Sequence, residues 1–234
     1  MRNRPLHTLI TASALAAGLI LMSSIANATP ISISASIGGV PTGTNYENFD
    51  SLALGSAGGT TASGITVSFT PDGQAVQGSS SGVYAAPYLS NANGSLFGDP
   101  SNGPDTTTYL TTGIGTATLT FPGNEQYMGL LWGSVDSYNT LSFYAGTMLI
   151  GLITGSNVTS LANGNQGVNG TYYVNINSST PFDKVVASSS AYAFEFDNVA
   201  FNTTQVVPEP AVLGMFGLGL LMIGLLAGVG RRLQ

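Results

Sequence analysis

The chain contains no cysteine, and its single histidine is His7, close to the N-terminus. Without cysteine it forms no disulfide, and the Cys/His ligand sets of structural zinc sites are excluded after position 7. The Ser-His-Asp and Cys-His triads are excluded over the same stretch, because each uses a histidine as general base. We therefore expect no enzyme of these classes and no cofactor. Carboxylates remain for acid-base chemistry, and oxygen atoms remain as ligands for a hard cation such as calcium.

Basic residues are almost as scarce, and they are unevenly placed. Between positions 29 and 207 the chain has one lysine and ten acidic residues, so the net charge of this region is −9. One basic group makes no phosphate-binding patch, which excludes nucleic acid as a partner. The five basic residues of the chain are Arg2, Arg4, Lys184, Arg231 and Arg232.

The C-terminal tail has the composition of a membrane span. Residues 211–230 carry no charge and are rich in Leu, Ile, Met and Gly. A helix of this length reaches about 30 Å, the thickness of the hydrocarbon core of a bilayer. Arg231 and Arg232 follow at once, and basic residues beside a span favour the cytoplasmic side. We predict a transmembrane helix over 211–230 and a cytoplasmic tail over 231–234, with a buried core helix as the alternative.

The N-terminus has the three parts of a signal peptide. Arg2 and Arg4 form a positive region, Leu9–Met22 is apolar, and Ala26-Asn-Ala28 is a small-x-small cleavage site. Residues 1–28 are therefore predicted to engage the Sec translocon and signal peptidase. The alternative is an uncleaved anchor, and in either case the middle of the chain is exported.

Residues 29–202 show the alternation of short β-strands. Turn-forming clusters of Gly, Asn, Ser and Pro separate these segments, and no apolar repeat of helical period appears. We predict an all-β domain, an antiparallel β-sandwich that is jelly-roll-like, with 203–210 as a linker and a long loop over 90–108. The predicted strands include 31–37, 65–69, 83–89, 116–121, 127–132, 141–144, 147–153, 172–176, 184–188 and 191–201.

The tail resembles the PEP-CTERM sorting signal of exported bacterial proteins. The matching parts are Pro208, Glu209 and Pro210, the apolar span, and the pair Arg231 and Arg232. The resemblance implies an exosortase as partner, which processes the chain near the Pro-Glu-Pro motif, with Glu209 as a recognition residue. It also implies an inner-membrane precursor, with its N-terminus outside and its C-terminus inside. The product is then expected at the cell surface or in an exopolysaccharide matrix. The alternative is an ordinary single-span protein that is never processed.

Three segments of the exported region are similar to blocks in a group of exosortase-dependent surface proteins without an established activity. They are Tyr46–Asp50, Leu131–Tyr144 and Ala193–Phe201. The resemblance implies a β-sandwich in which the first and last strands are adjacent, broadly like carbohydrate-binding jelly rolls. It favours a structural or adhesive role in association with exopolysaccharide.

Adjacent first and last strands would bring together a set of oxygen ligands. Glu47, Asp50, Asp197 and Asn198 lie at the two ends of the domain sequence. Calcium takes six to eight oxygen ligands, and backbone carbonyls complete such a shell. We note a candidate structural calcium site here, with ordinary polar strand ends as the alternative.

A second candidate site is a sugar-binding platform around Trp132. Aromatic faces stack on sugar rings, and Asp136, Tyr138 and Asn139 in the following turn offer partners for hydroxyl groups. The alternative makes Trp132 a core residue, since a continuous apolar run such as Leu130–Trp132 indicates a strand covered on both faces. This platform would make the domain a carbohydrate-binding module with a defined glycan site.

A carboxylate pair for glycoside hydrolysis is the third candidate. Such a pair needs one acid with a raised pKa and a second carboxylate about 5–10 Å away. Glu125, Asp136 and Glu195 are the possible members, and the sequence selects no pair among them. We expect a binding or structural protein and no enzyme.

Overall fold

The computed structural model describes residues 32–39, 41–90 and 103–206. The predicted signal peptide, the Pro-Glu-Pro motif, the apolar span and the basic tail lie outside these residues. Over the described ranges, none of the helices has the length and hydropathy that a membrane span requires.

The all-β prediction is confirmed for the described part of the chain. It forms strands in one large antiparallel sheet and one small hairpin sheet, together with a single helical turn, α1, at Gly155–Val158. The strands are β1 Ile33–Ile37, β2 Asn45–Glu47, β3 Gly59–Thr60, β4 Thr66–Phe69, β5 Gln74–Val76, β6 Tyr88–Leu89, β7 Gly103–Pro104, β8 Tyr109–Thr111, β9 Thr116–Gly133, β10 Asn139–Ala145, β11 Met148–Thr154, β12 Tyr172–Ser189 and β13 Glu195–Asn202.

Two long strands, β9 and β12, run through both halves of the large sheet and connect them. The first half has the order β3-β4-β9-β12-β10-β11 and uses the start of β9 and the end of β12. The second half has the order β1-β12-β9-β13, and β13 also pairs with β2 and β8. Inward side chains from both halves share one hydrophobic core, which gives the domain a β-sandwich-like form.

A break in pairing separates the two halves at the middle of the long strands. Regular pairing of β12 with β9 stops after Asn177 and resumes around Phe182. Pro122 in β9 and Pro181 in β12 lie at this break. Proline has no backbone N–H to donate to a ladder, so it is tolerated where pairing is irregular. The predicted strands 116–121 and 127–132 are therefore halves of one strand, and 172–176 and 184–188 are halves of another.

The two halves of β9 are buried differently, and the sequence pattern follows the burial. In the first half alternate residues face the core, as Ala117, Leu119 and Phe121 do. In the second half Leu130 and Trp132 face the main core, whereas Leu131 faces a smaller cluster that includes Leu89, Tyr127 and Tyr173. A strand covered on both faces has no solvent side, which is why the run Leu130–Trp132 is continuously apolar.

The predicted strand over 83–89 is largely wrong. Only Tyr88 and Leu89 form a strand, β6, which pairs with β7. The preceding residues form a loop, in which the N–H of Ala85 donates to the side chain of Glu195 and not to a neighbouring strand. Because the N–H of Ala85 bonds to a side chain and not to a neighbouring strand, this segment does not join the large sheet.

Candidate functional site

A cavity lined by polar side chains lies where the end of β9 meets the start of β13. Its volume is about 580 Å³. Four segments form its walls: the loop 79–85, the turn after β9, the loop between α1 and β12, and the connection from β12 to β13. From the last three segments the lining side chains include Ser134, Asp136, Tyr138, Asn163, Gln166, Tyr192 and Glu195.

Glu195 is the most deeply buried carboxylate of this cavity, with 2% of its surface exposed. Its Oε1 accepts a hydrogen bond of 2.9 Å from the N–H of Ala85, and its Oε2 accepts one of 2.5 Å from the hydroxyl of Ser134. Both donors favour the ionised form, but burial favours the neutral form and dominates. The pKa of Glu195 is raised to about 7, with nearby Asp136 contributing in the same direction.

Asp136 and Tyr138 form the second polar group of the cavity. The Tyr138 hydroxyl donates a hydrogen bond of 3.2 Å to the carbonyl of Tyr192, and Asp136 is within reach of the same hydroxyl. Burial raises the pKa of Asp136, and the Tyr138 hydroxyl opposes that rise. The pKa of Tyr138 is also raised, by burial and then by its bond to Asp136. The two residues therefore place a carboxylate and a phenol side by side.

A glycine makes room for the carboxylate of Asp136. Gly164 has φ +68°, a left-handed backbone conformation that favours glycine. A Cβ at this position would lie 2.5 Å from Oδ2 of Asp136. The loop therefore packs directly against the carboxylate because position 164 has no side chain.

The aromatic members of the cavity are tyrosines. Tyr192 is 45% exposed, and its hydroxyl donates to Asp72 at 3.2 Å. Tyr84 lies on the opposite loop and packs edge-on against Tyr109. Tyrosine offers an apolar ring face and a polar hydroxyl, the combination found where a ligand is partly wet.

Two of the four predicted sugar-binding residues do not line the cavity. Trp132 has no exposed surface and stacks on Phe194 with ring centroids 4.3 Å apart, so it belongs to the core. Asn139 is also fully buried, and its Oδ1 accepts a hydrogen bond from Ser189. The prediction that Trp132 and Asn139 bind sugar is therefore wrong, because both side chains are buried in the protein. Only Asp136 and Tyr138 of the four predicted residues line the cavity.

The predicted calcium ligands come from strands that do pair. Glu47 of β2 lies opposite Val199 of β13. The carboxylate of Glu47 accepts hydrogen bonds from the N–H groups of Phe49 and Ser63, at 2.8 and 3.2 Å. Asp50 accepts from the N–H of Thr108 and from the side chain of Asn48. These two carboxylates therefore serve as acceptors that fix turns.

The other members of the predicted sites lie elsewhere. Asp197 and Asn198 are fully buried in β13, and Glu125 lies in β9 beside the pairing break, away from the cavity. In the described part of the chain, no group of three or more His, Cys, Asp or Glu side chains is placed to hold a metal ion. The residues of the cleavage and sorting signals lie outside the described ranges: Ala26, Ala28, Pro208, Glu209, Pro210, Arg231 and Arg232.

Several residues of the cavity were not predicted as binding residues. The sequence marks Glu195 only as a possible member of a catalytic pair, and no motif points to Ser134, Tyr84 or Tyr192. Ser134 follows Trp132-Gly133 and has φ +37°, which turns the chain out of the strand. No local pattern marks a residue as lying opposite a loop that is 110 positions away.

Comparison with family models, with curated proteins and with solved structures finds no match to the chain.

Proposed function

We propose that this chain is an exported bacterial surface protein whose β-domain binds carbohydrate at the Glu195 cavity. In this proposal an exosortase reads the tail, and the processed protein then acts in association with exopolysaccharide. A purely structural or adhesive role is the alternative. The cavity favours the binding role, because it offers a ligand a concave surface on which two carboxylates, a phenol and an exposed tyrosine ring meet.

The observation that carries the proposal is the arrangement of Asp136, Tyr138 and Tyr192 around one cavity. A pyranose presents hydroxyl groups at its edge and C–H groups on its face. Carboxylate and phenol oxygens match the edge, while an exposed tyrosine ring matches the face. A cavity of about 580 Å³ lies within the range of small-molecule sites.

The fold is compatible with this function. Strand β2, early in the domain, pairs with β13, the last strand. Such closure supports our proposal that the sandwich is jelly-roll-like, although many functions share that architecture. Loops at one end of a sandwich are a common place for binding residues, because the sheets hold them rigidly.

A glycan array probed with the full-length chain, purified in mild detergent, tests the binding role. We expect saturable binding to one class of glycan. Tyr138→Phe should weaken that binding, since it removes one hydroxyl and keeps the ring. The matched control is Tyr144→Phe, which changes a tyrosine outside the cavity that packs under Lys184. No binding to any glycan would reject this role and favour the structural alternative.

The sorting half of the proposal rests on the tail sequence alone. Mass spectrometry of the protein recovered from the cell surface provides its test. We expect the mature C-terminus to lie near Pro208-Glu209-Pro210 and the segment Arg231–Gln234 to be missing. Surface protein that still carries Arg231–Gln234 would reject exosortase processing and favour an ordinary single-span protein.

A specific observation also supports a second candidate, glycoside hydrolysis. Asp136 and Glu195 line the same cavity, and the pKa of Glu195 is near 7, the range of a general acid. We favour binding, because both Glu195 oxygens already accept hydrogen bonds from the protein. Release of new reducing ends from a bound glycan, lost in Glu195→Gln, would establish hydrolysis instead.

A further inference from the structure

The Glu195 cavity carries only acidic charged side chains among its lining residues, which narrows the class of sugar that it would bind. Asp136 and Glu195 line it, and no lysine, arginine or histidine is among its lining residues. Lys184, the one basic residue of the described ranges, lies over the ring of Tyr144 on the first half of the sheet. From the described residues, a ligand in the cavity therefore meets negative charge and no compensating positive charge.

Asp136 is the member of the pair that is suited to meet a ligand. One oxygen of Glu195 accepts the N–H of Ala85 and the other accepts the hydroxyl of Ser134. Glu195 therefore contributes negative electrostatic potential to the cavity and holds the loop 79–85 in place. Asp136 is 9% exposed and lines the cavity beside the Tyr138 hydroxyl. A cation placed there would pair with Asp136 directly and would be favoured by Glu195 at longer range.

We propose that the ligand of this cavity is an amino sugar with a free ammonium group, as in a de-N-acetylated hexosamine polymer. This inference rests on the proposed carbohydrate-binding function and specifies its substrate class. The ammonium would occupy the position next to Asp136, and the ring would lie against Tyr192. Uronic acids are disfavoured, since their carboxylate would be buried beside two others without a cation. Neutral sugars would bind more weakly because they offer no charge to Asp136.

The charge state of the cavity makes the proposal sensitive to pH. The titratable groups that face Glu195 are Asp136, Tyr109 and Tyr138. The pKa values of the two tyrosines are raised above their ordinary value, so both stay neutral near pH 7. The pKa of Glu195, about 7, means that the cavity becomes more negative as the pH rises through neutrality. Affinity for the ammonium form of the sugar should rise over the same interval until the sugar amine itself loses its proton.

Calorimetric titration of the full-length chain in mild detergent tests this assignment. The probes are glucosamine oligomers, N-acetylglucosamine oligomers and galacturonic acid oligomers of equal length. We expect the glucosamine oligomers to bind about tenfold more tightly than the acetylated ones. Added salt should reduce this preference. The oligouronides should not bind.

Two variants isolate the role of the carboxylates. Asp136→Asn keeps the shape and removes the charge, so it should abolish the preference for the free amine. Asp183→Asn is the control: it removes one negative charge from outside the cavity, where Asp183 accepts the N–H of Gly146, and it should leave the preference intact. In Glu195→Gln the pH dependence that Glu195 contributes should disappear, so the affinity should no longer rise with pH on the acidic side of the titration of the sugar amine. Thermal melting of each variant checks that it is folded.

The outcomes separate this inference from the function on which it rests. Equal binding of acetylated and free-amine oligomers would reject the amino-sugar assignment while leaving carbohydrate binding in place. A preference for the oligouronides would have the same meaning. Failure of all three probes would reject the amino-sugar assignment, and failure of the glycan array as well would reject carbohydrate binding. Binding of a lysine-rich peptide as tight as that of the glucosamine oligomers would also overturn the assignment, since the cavity would then read positive charge and not a sugar.

Discussion

The backbone N–H of Ala85 donates a hydrogen bond of 2.9 Å to Oε1 of Glu195, which lies 110 positions later in the chain. Ala85 ends the loop that forms one wall of the cavity, and Glu195 begins β13. The hydroxyl of Ser134 holds the second oxygen of Glu195. One buried carboxylate thus joins a loop, the end of β9 and the start of β13, so its charge state affects both the stability of the domain and the shape of its cavity.

Stability should fall as the pH rises through neutrality. The pKa of Glu195 is about 7 in the folded state, above its ordinary value of 4.5, so the unfolded chain loses the proton first. The stabilisation is complete below pH 4.5 and is lost as the pH rises through 7. The shift corresponds to roughly 3 kcal/mol of unfolding free energy. Burial also raises the pKa of Glu125 and of Asp136, which adds dependence of the same sign.

Denaturant unfolding of the wild type and of Glu195→Gln, at intervals from pH 4 to 8, measures this dependence. Glutamine keeps the size of the side chain and has no proton to release, so the variant should show a much flatter profile between pH 5 and 8. Any residual slope comes from other carboxyl groups whose pKa burial raises, among them Glu125 and Asp136. If both proteins gave the same slope, Glu195 would not be the titrating group.

Ser134 should matter more at high pH than at low pH. Its hydroxyl donates to Glu195, and that bond stabilises the ionised carboxylate. In Ser134→Ala the pKa of Glu195 should rise further, and the unfolding free energy should drop by about 1.5–3 kcal/mol at pH 8 and by less at pH 5. Ser137→Ala changes an exposed serine three positions later and serves as the control. A cost for Ser134→Ala that is independent of pH would argue against this bond.

The sequence was sufficient for the class of the fold because strand alternation is a local property. Ala117, Leu119 and Phe121 alternate with polar residues and face the core as the pattern predicts. The joining of strand halves across Pro122 and Pro181 was not predictable, because a proline in a sequence normally indicates a turn. Here the strand continues because the pairing of β9 with β12 is irregular at the same place. Long-range pairing decided the outcome there, and no local signal reports it.

The candidate site was only half predictable for a similar reason. Asp136 and Tyr138 follow directly after a strand, where functional side chains often lie, and they do line the cavity. Trp132 and Asn139 are near neighbours in sequence but are buried in the protein. The opposite wall comes from the loop 79–85, and only the folded topology brings it to Glu195.

Gly164→Ala should disturb the cavity more than a comparable change elsewhere. The new Cβ would lie 2.5 Å from Oδ2 of Asp136, and φ +68° would be strained for alanine. Gly146→Ala is a matched control, because its φ is +60° and no atom lies within 4 Å of a Cβ there. Both variants should lose about 1 kcal/mol from backbone strain. Gly164→Ala should in addition displace Asp136 and weaken glycan binding, whereas Gly146→Ala should bind like the wild type.

Glu47 should act through hydrogen bonds and without calcium. Its two oxygens accept the N–H groups of Phe49 and Ser63, and Glu47 is 5% exposed. In Glu47→Gln one of these donors would face an amide NH₂, so the unfolding free energy should fall by about 1–3 kcal/mol. A calcium chelator should leave the Tm of the wild type unchanged. A fall in Tm on chelation that is absent in Glu47→Gln would instead establish a calcium site here.

Fluorescence of Trp132 can distinguish a role in core packing from a role in ligand contact, because Trp132 is the one tryptophan of the chain. It is fully buried and stacked on Phe194, so its fluorescence should be protected from a polar quencher until the domain unfolds. Trp132→Ala should cost about 3–5 kcal/mol through the cavity that it leaves. Trp132→Phe keeps an aromatic ring in the core, so the folded variant should bind glycan with the Kd of the wild type. Quenching of the wild-type emission by added glycan, together with loss of binding in a folded Trp132→Phe, would place the ligand at Trp132 and away from Asp136 and Tyr138.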